Sequence, residues 1–392
     1  MRLLFVKEQM SWPRSSGHDV HSYYSMQALV KQGHVVGLVT LREINPQAIA
    51  GCGLAETWCL NKEQLTKDSP LLLNASQEKF RNYWGIEKKN IVRIGEIAKE
   101  FQTDAVVVVG LNVLPYLGAV DQALRIWYAG DEWVWHHLSQ VKWLRPSTWG
   151  ELKQALVKGL YERAYAPFLD RAWMVSQADE KAIHRIAKIK AVDVLPNGVD
   201  TDHFKPMDVP QQPRSCTFWG RLDFGPNIQA LEWFCQKIWP AVRQAVKDAN
   251  FTIYGFMPTD PVKRLVIAAQ GIELKADLPD LREEIAKHEL VVLPFVSGGG
   301  IKNKLLEASA MGKAIVCTPR TTEGLSTGSS VRIASTPQEW LQVIQSLWNS
   351  SAERNHLGQE ARRWVKQEHT WDAVASKAVQ GIEESIRMRK SA

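Results

Sequence analysis

The sequence predicts an α/β protein with two Rossmann-like, doubly wound domains that face each other across a cleft. Short runs of Val, Ile and Leu alternate with helical stretches, which is typical of parallel strands buried on both faces of a sheet. This alternation stops near residue 195 and begins again after residue 208. The segment between is rich in turn residues and proline, so it predicts a linker. A chain of 392 residues has room for about two or three domains.

The first series of elements opens with a β-prone run at residues 3–6, followed by a turn that contains Gly17. Residues 21–32 predict a helix that ends at Gly33, and residues 35–39 predict the second strand. Strand, turn, helix and strand make one βαβ unit. Further strands are predicted at residues 106–109, 126–128 and 173–175.

The second series repeats this order. A strand at residues 216–219 leads through a turn into a helix over residues 230–246. Further strands are predicted at residues 251–254, 290–293 and 314–317. The predicted N-terminal domain, linker, C-terminal domain and final helix cover residues 1–195, 196–208, 209–368 and 369–392. Ligands of doubly wound domains usually bind where the strands end, so the cleft is the expected site.

Composition excludes several classes of protein. Hydrophobic residues make up 45% and charged residues 23%, as in ordinary globular proteins. The five cysteines have no spacing typical of metal ligands and fit a reducing compartment. The net charge, 48 − 42 = +6, permits an anionic substrate or membrane surface but does not require nucleic acid. Without a signal peptide or a long apolar window, the sequence predicts a cytoplasmic protein, soluble or peripheral to a membrane.

Residues 143–165 combine basic and apolar side chains at helical spacing. A basic amphipathic helix can lie on an anionic membrane, and it can equally pack on the sheet with its charged face in water. Glu151 and Glu162 dilute the positive charge, which favours the second interpretation.

The most informative stretch joins a predicted strand to a predicted helix through three consecutive glycines, residues 298–300. Glycines let backbone N–H groups approach a ligand, and the N-terminus of a helix attracts anions. The helix is predicted to begin near Ile301, so Lys302 and Lys304 lie in its first turn, where a cation is unfavourable unless an anion binds. Glu307 follows on the same helix face, where a carboxylate could accept hydrogen bonds from ribose hydroxyls. The pattern is neither a P-loop nor GxGxxG, and it predicts a phosphate site beside a ribose site.

Three further segments carry a family resemblance. Residues 194–206 contain Pro-Asn-Gly-Val-Asp and a later Phe-Lys-Pro, residues 220–222 are Gly-Arg-Leu, and residues 306–316 begin with Leu-Glu-Ala. Their combination resembles the retaining GT-B glycosyltransferases of family 4, over nearly the whole chain. Residues 226–234 and 300–308 are also similar to an exopolysaccharide-associated subgroup of that family. The resemblance implies a GT-B fold whose final helix crosses back to the N-terminal domain.

The resemblance also implies a donor site in the C-terminal domain. Arg221 matches the first member of a basic pair that binds the donor diphosphate, and residues 225–227 lack the usual lysine of that pair. Lys304 is the candidate substitute. Of the two glutamates in the family's acidic pair, Glu307 matches the second and is the ribose candidate, whereas Gly299 replaces the first. The other predicted contacts are Gly17, Gly299, Gly300 and Ile301 at the diphosphate and Glu323 at the border of the site.

The N-terminal domain is expected to supply the acceptor side. Family members often carry His-Asp after the strand that corresponds to residues 126–128, and here Gly130 takes the histidine position while Asp131 keeps the acid. Asp131 is therefore the candidate catalytic residue near the transferred sugar, with His136 and His137 as second choices. The implied reaction moves a sugar, with retention, from a nucleoside-diphosphate donor to a hydroxyl acceptor, without a metal or other cofactor. The expected partners are the nucleotide-sugar and a saccharide, lipid-linked or small hydroxyl acceptor, with a membrane surface as a further candidate and no nucleic acid.

Two alternatives stay open at this point. A GT-B epimerase or phosphorylase would turn over without an acceptor, or with inorganic phosphate. A non-catalytic nucleotide-sugar-binding protein would bind without turnover, and Gly299 in place of a glutamate keeps that alternative open. A dinucleotide-dependent dehydrogenase is disfavoured, because the first βα turn lacks GxGxxG. The donor base, the sugar and the acceptor are not determined by the sequence.

Overall fold

The protein is described by a computed structural model. The described residues are 1–12, 17–60, 71–130, 134, 137–138, 149–298 and 302–391. They form two compact domains. The N-terminal domain comprises Met1–Pro196 and Trp371–Ala392, and the C-terminal domain comprises Asn197–Thr370. The N-terminal domain therefore consists of two stretches of chain, whereas the C-terminal domain is continuous.

In its described part, the N-terminal domain contains one sheet of seven parallel strands in the order β3-β2-β1-β4-β5-β6-β7. The strands are β1 (Arg2–Lys7), β2 (Val35–Thr40), β3 (Glu56–Cys59), β4 (Ala105–Val109), β5 (Leu124–Gly130), β6 (Arg171–Met174) and β7 (Val192–Val194). The helices are α1 (Gly17–Lys31), α2 (Pro46–Ile49), α3 (Ala75–Tyr83), α4 (Lys88–Glu100), α5 (Trp149–Tyr165), α6 (Gln177–Ile186) and α14 (Trp371–Ser391).

Both faces of this sheet are covered, because successive strand side chains point to opposite sides. Leu4 and Val6 of β1 pack in a core with α4 and α5, whereas Leu3 and Phe5 pack in a second core with α1 and α14. All four side chains are fully buried. Burial on both faces explains why this strand is a continuous apolar run rather than an alternating one.

Helix α14 packs beside α1 in the N-terminal domain. The ring of Trp371 stacks on Tyr24 with centroids 5.2 Å apart and meets His21 edge-on at 5.0 Å. The side chain of Gln32 also donates a hydrogen bond to the carbonyl of Asp372 across 2.8 Å. These contacts attach the final helix to the first helix of the chain.

The C-terminal domain has a parallel sheet in the order β10-β9-β8-β11-β12-β13. Its strands are β8 (Gln212–Arg221), β9 (Asn250–Phe256), β10 (Ile272–Ala276), β11 (His288–Leu293), β12 (Ala314–Cys317) and β13 (Arg332–Ile333). Counted within the domain, this is the 3-2-1-4-5-6 order of nucleotide-binding doubly wound sheets. The direction of winding reverses between β8 and β11, and such a switch point is where these folds bind ligands.

The helices of the C-terminal domain follow the same plan. They are α7 (Gly225–Trp233), α8 (Trp239–Ala245), α9 (Asp260–Ala268), α10 (Arg282–Ala286), α11 (Asn303–Ala310), α12 (Pro337–Asn349) and α13 (Ser351–Glu368). One helix was expected over residues 230–246, but the structure has α7, a π-helical turn at Phe234–Ile238, and then α8. Pro240 stands near the start of α8, and because proline has no N–H it interrupts a continuous α-helical hydrogen-bond ladder.

No helix among the described residues combines the length and the apolar character that crossing a membrane requires.

Candidate functional site

The candidate site lies at the carboxyl ends of β8 and β11, on either side of the switch point. Strand β8 ends at Arg221 and leads into α7 at Gly225. Strand β11 ends at Leu293, and α11 begins at Asn303. The two loops that the sequence analysis selected for phosphate binding therefore belong to adjacent strands of one sheet.

Lys304 places a positive charge at the start of α11, in surroundings that disfavour a cation. Its amino group donates to Asn227 Oδ1 across 3.3 Å and lies 5.5 Å and 5.6 Å from the ring centres of Phe218 and Phe295. Burial lowers the pKa of Lys304, although the nearby carboxylate of Glu307 opposes that change. The residue is also the second of α11, next to the positive end of the helix dipole. A bound anion would offset both the loss of hydration and the unfavourable dipole.

Gly220 provides the space that Lys304 occupies. Its φ is +147°, and a Cβ built on it would lie 2.6 Å from Lys304 Cε and 2.7 Å from Lys304 Nζ. A side chain there would have to displace the end of Lys304, and a residue other than glycine would strain the backbone at this φ. The glycine of the Gly-Arg-Leu segment therefore suits both the backbone and the position of the lysine on the neighbouring loop.

Asn227 connects the two loops. The side chain is buried, and its Nδ2 donates to the carbonyl of Arg221 across 2.7 Å while its Oδ1 accepts from Lys304. In the sequence, residues 225–227 stand out only because they lack a lysine. The structure shows that the asparagine there fixes the end of β8 and orients the lysine of α11.

Glu307 lies one helical turn after Lys304 and faces β8. Its Oε2 accepts a hydrogen bond from Trp219 Nε1 across 2.9 Å. Burial raises the pKa of Glu307, and the Trp219 hydrogen bond and the charge of Lys304 counteract that rise in part. A carboxylate with one oxygen held by an indole keeps acceptor capacity for a further donor, such as a sugar hydroxyl.

Arg221 is the exposed last residue of β8, and it forms a bidentate ion pair. Its Nε donates to Asp223 Oδ1 across 3.0 Å, and its Nη2 donates to Asp223 Oδ2 across 2.7 Å. This contact raises the pKa of Arg221 and lowers that of Asp223. An exposed pair of this kind adds little to stability, so its guanidinium is available to an incoming anion.

The glycine loop is described in part. Gly298 has a φ of +88°, and a Cβ there would lie 3.0 Å from the ring of Pro226. Lys302 donates to the carbonyl of Gly298 across 2.9 Å, and its own backbone is extended. Helix α11 therefore begins at Asn303 rather than near Ile301 as expected. The predicted contacts Gly299, Gly300 and Ile301 lie outside the described residues.

The predicted linker motif lies against the start of α11. Asn197 Nδ2 donates to Asn303 Oδ1 across 2.8 Å. The backbone N–H of Val199 donates to the carbonyl of His369, and Val199 forms a β-bridge with Thr370. The segment thus helps to position the first turn of the helix that carries Lys304.

Glu323, the predicted border residue, follows a short helical turn after β12. It is exposed and pairs with Arg320 across 2.6 Å. Since β12 is the neighbour of β11, this residue lies one strand away from the switch point.

The N-terminal domain has its own switch point, between β1 and β4. The ends of these strands and the start of α1 line a cavity of about 350 Å³, whose walls include Lys7, His18, Asp19, Asn112 and Lys158. Lys7 and Asp19 form a buried ion pair that joins β1 to α1, while burial lowers the pKa of His18. Gly17 is the first residue of α1, beside this pair.

The candidate catalytic residue Asp131 and its second choice His136 lie outside the described residues. Gly130, which precedes Asp131, ends β5, and a Cβ there would lie 2.8 Å from His18 Nε2. His137 is held by its neighbours: Nδ1 lies 2.6 Å from Glu151 Oε2, and Nε2 lies 2.7 Å from Lys158 Nζ. These two contacts connect His137 to α5.

Within the described ranges, no group of three or more His, Cys, Asp or Glu side chains is placed to hold a metal ion.

Comparison with solved structures decides the fold. A glycosyltransferase from Rickettsia africae is 13% identical with a TM-score of 0.66, and the alignment covers 98% of each chain. Sucrose-phosphate synthase from Thermosynechococcus elongatus is 14% identical with a TM-score of 0.66, covering 99% of this chain and all of the other. HepE from Anabaena, solved with UDP and glucose, is 13% identical with a TM-score of 0.63 and covers 98% of this chain and 99% of that chain. The fold is GT-B.

Within this GT-B chain, residues 213–350 match the family model described as "Glycosyl transferases group 1". That range includes both loops of the candidate site, from Arg221 to Glu323. None of the curated proteins compared with the chain matches it.

Four residues of the site were not identified from the sequence: Trp219, Gly220, Asp223 and Asn227. Three of them flank Arg221 in or just after β8, where residues at the end of a switch-point strand could have been suspected. Trp219, Gly220 and Asn227 meet residues about 80 positions later, and those contacts depend on β8 and β11 being neighbours, which no local pattern reveals. Asp223 pairs instead with Arg221, two positions before it.

Proposed function

We propose that the protein is a retaining glycosyltransferase, which transfers a sugar from a nucleoside-diphosphate donor to a hydroxyl acceptor. It does so in the biosynthesis of a polysaccharide or glycoconjugate. The observation that carries the proposal is the half-buried Lys304 amino group beside the Glu307 carboxylate, at the switch point of a sheet whose segment 213–350 matches group 1 glycosyltransferases. A partly desolvated cation and a carboxylate one helical turn apart could bind a phosphate and the adjoining ribose of one nucleotide.

The diphosphate is assigned to positive groups from both loops. Lys304 supplies a half-buried positive charge, and Arg221 supplies a planar guanidinium that can bind phosphate oxygens bidentately after leaving Asp223. The backbone of Gly299, Gly300 and Ile301, together with Gly17 of the N-terminal domain, is assigned to the same anion. Glu307 is assigned to the ribose hydroxyls, and Glu323 is placed at the border of the site.

The chemistry follows from these charges. The bond between the anomeric carbon and the diphosphate oxygen breaks, and the leaving diphosphate gains negative charge that fixed cations stabilise. The acceptor oxygen forms the new bond on the same face of the sugar, and its proton passes to the leaving phosphate. Asp131 is assigned to the transferred sugar, and no metal is required in this scheme. The acceptor, a saccharide, lipid-linked or small hydroxyl compound, is assigned to the N-terminal domain of a cytoplasmic protein.

Calorimetry with UDP, GDP and ADP tests the donor site directly. The series starts with UDP, because HepE of the same fold was solved with it. We expect one nucleotide to bind, and Arg221→Ala or Lys304→Met to weaken it by about tenfold or more, the loss of a charged hydrogen bond. Arg214→Ala is the matched control, since Arg214 also forms an exposed ion pair on the same domain, in which its Nη1 donates to both carboxylate oxygens of Asp248.

Turnover separates the proposal from its alternatives. Incubation with the matching nucleotide-sugar and a panel of acceptors should release nucleotide and give a product with the donor's anomeric configuration. Asp131→Asn should lower kcat while leaving the nucleotide Kd unchanged. Binding without any transfer would favour a non-catalytic protein, whereas turnover without acceptor or with inorganic phosphate would favour an epimerase or a phosphorylase. An absence of nucleotide binding would contradict the proposed donor site.

A further inference from the structure

Helix α5 of the N-terminal domain has one buried side and one exposed side. Ala155, Tyr161 and Tyr165 are buried, and the Tyr165 hydroxyl donates to the carbonyl of Gln77 across 3.0 Å. These contacts fix the rotation of the helix about its axis, and so they determine which residues face outward.

Three large apolar side chains lie on that outer side. Trp149 is 55% exposed, Leu156 is 62% exposed and Leu160 is 57% exposed. Lys153 and Arg163 are exposed as well. Together the five residues stand at positions 149, 153, 156, 160 and 163, so they are separated by four, three, four and three residues. At 3.6 residues per turn, these five side chains fall within an arc of about 80°, which we call the α5 stripe.

The acidic residues of α5 lie on the opposite side. Glu151 accepts from His137 at 2.6 Å, and Glu162 is buried. From the sequence, these two carboxylates were expected to dilute the positive charge of the helix. In the structure both carboxylates lie away from the exposed side of α5. The charged residues of the α5 stripe are therefore Lys153 and Arg163.

The end of helix α6 extends this positive charge. Arg163 Nε donates to the carbonyl of Ile186 across 2.7 Å, which places the last turn of α5 against the C-terminus of α6. Arg185 and Lys188 are exposed there. The exposed apolar side chains of α5 are thus bordered by basic residues. The acidic residues of α6, Asp179 and Glu180, lie in its first turn, at the opposite end of that helix.

We infer that the α5 stripe binds the surface of an anionic lipid bilayer. Exposed Trp and Leu on one side of a helix, bordered by Lys and Arg, match a helix that lies in the headgroup region with its apolar side chains inserted. The cations add attraction to anionic headgroups, and tryptophan favours this interface. This inference stands independently of the proposed function, since it uses no residue of the donor site.

Flotation of the whole protein with vesicles tests it. One set contains phosphatidylcholine alone, and the other contains equal amounts of phosphatidylcholine and phosphatidylglycerol. We expect binding to the anionic vesicles, little binding to the neutral ones, and release by salt. Leu156→Glu and Leu160→Glu should each lower the partition coefficient by about tenfold or more, as expected from the loss of one inserted leucine. Lys153→Glu should lower it by about fivefold or more.

Ile267→Glu is the matched control, because Ile267 is an exposed apolar residue of α9 in the C-terminal domain. It should bind anionic vesicles as the wild type does, and unchanged thermal melting should show that each variant is folded. Equal binding to both vesicle types, or unchanged binding of Leu156→Glu, would overturn the inference. So would a dimer by light scattering that Leu156→Glu converts to a monomer without any vesicle binding, since the α5 stripe would then be a protein interface.

Discussion

The indole nitrogen of Trp219 donates a hydrogen bond to the carboxylate of Glu307, with 2.9 Å between Nε1 and Oε2. Trp219 lies near the end of β8, and Glu307 lies in α11 after β11. The bond therefore crosses the switch point of the C-terminal sheet. It fixes one oxygen of the proposed ribose-binding carboxylate before any ligand arrives.

Trp219→Phe tests this contact. The variant keeps an aromatic ring but removes the donor, so the pKa of Glu307 should rise further above its ordinary value. We expect the free energy of unfolding to fall by about 1–3 kcal/mol, the cost of leaving a buried acceptor without its donor. Nucleotide affinity, measured by calorimetry, should fall as well.

Trp340→Phe provides the comparison for that variant. Trp340 is buried in the same domain, and its Nε1 donates to the carbonyl of Ala334 across 2.9 Å. The Trp340→Phe variant should show a similar fall in the free energy of unfolding, measured by urea denaturation, and should keep its nucleotide affinity. Equal loss of affinity in the two variants would mean that Trp219 acts on general stability and not on Glu307.

Lys304 should make nucleotide binding depend on pH. Burial lowers its pKa in the free protein, and a bound diphosphate would raise it again. Binding should therefore take up protons at pH values between the free and bound pKa, and affinity should fall as pH rises through the lowered value. Calorimetry in buffers of different ionisation enthalpy measures this uptake.

Two lysine variants make that measurement specific. Lys304→Met should abolish the part of the proton uptake that belongs to the lysine, leaving the titration of the nucleotide itself. Lys313 is a buried lysine of the same domain, with its pKa lowered by burial to about 8, and it donates to the carbonyl of Ala286 across 3.0 Å. Lys313→Met should retain the uptake of the wild type; equal uptake in wild type and Lys304→Met would refute the assignment.

Gly220→Ala should displace the lysine. The new methyl group would overlap Lys304 Cε and crowd Asn227 Nδ2, which lies 2.9 Å from the Cβ position. We expect at least about tenfold weaker nucleotide binding, since a charged contact is lost. Gly328→Ala is the control, because Gly328 also has a positive φ, +53°, but has no atom within 4 Å of its Cβ position. Both variants carry backbone strain of about 1–3 kcal/mol, so only the difference in binding reports on Lys304.

His21 should make the N-terminal domain less stable in acid. Burial lowers its pKa to about 4, against an ordinary value of 6.5, so the folded state binds fewer protons than the unfolded state between these values. Its contribution is present above pH 6.5 and is lost as pH falls through 4, a difference of about 3 kcal/mol. His21→Phe keeps a ring against Tyr128 and Trp371 and should flatten this part of the melting-temperature profile.

The same change at an exposed histidine of the domain, His184→Phe, should leave the profile as it is in the wild type. His288 of the C-terminal domain also has its pKa lowered to about 4, so only the difference between wild type and variant is attributed to His21. Parallel profiles for wild type and His21→Phe would contradict the prediction.

The strands that the sequence predicted are the central strands of each sheet. The four that it missed, β3 and β7 in one domain and β10 and β13 in the other, are the edge strands. Their residues are largely half-buried or exposed, so they lack the continuous apolar runs that identify a strand buried on both faces. The doubly wound α/β fold of each domain could be predicted because it depends on the central strands, whereas the GT-B fold was implied by the family resemblance of separate motifs.

The candidate site was predicted residue by residue only where a local motif existed. Lys304 and Glu307 were found because they follow a glycine loop in one helix. The hydrogen bonds that hold them come from Asn227 and Trp219, which belong to another strand–helix unit. Contacts of that kind depend on the order of strands in the sheet, which the separate segments do not contain.

The packing of α14 on α1 affects how the protein is made on the ribosome. The C-terminal domain is one continuous stretch, Asn197–Thr370, and all of it is synthesised before Trp371. The N-terminal domain, although translated first, lacks α14, one of the helices that pack on one face of its sheet, until that late segment has been synthesised. Until then, Tyr24 lacks the Trp371 ring that stacks on it. The domain that is synthesised first thus cannot complete its core until the last segment of the chain is available.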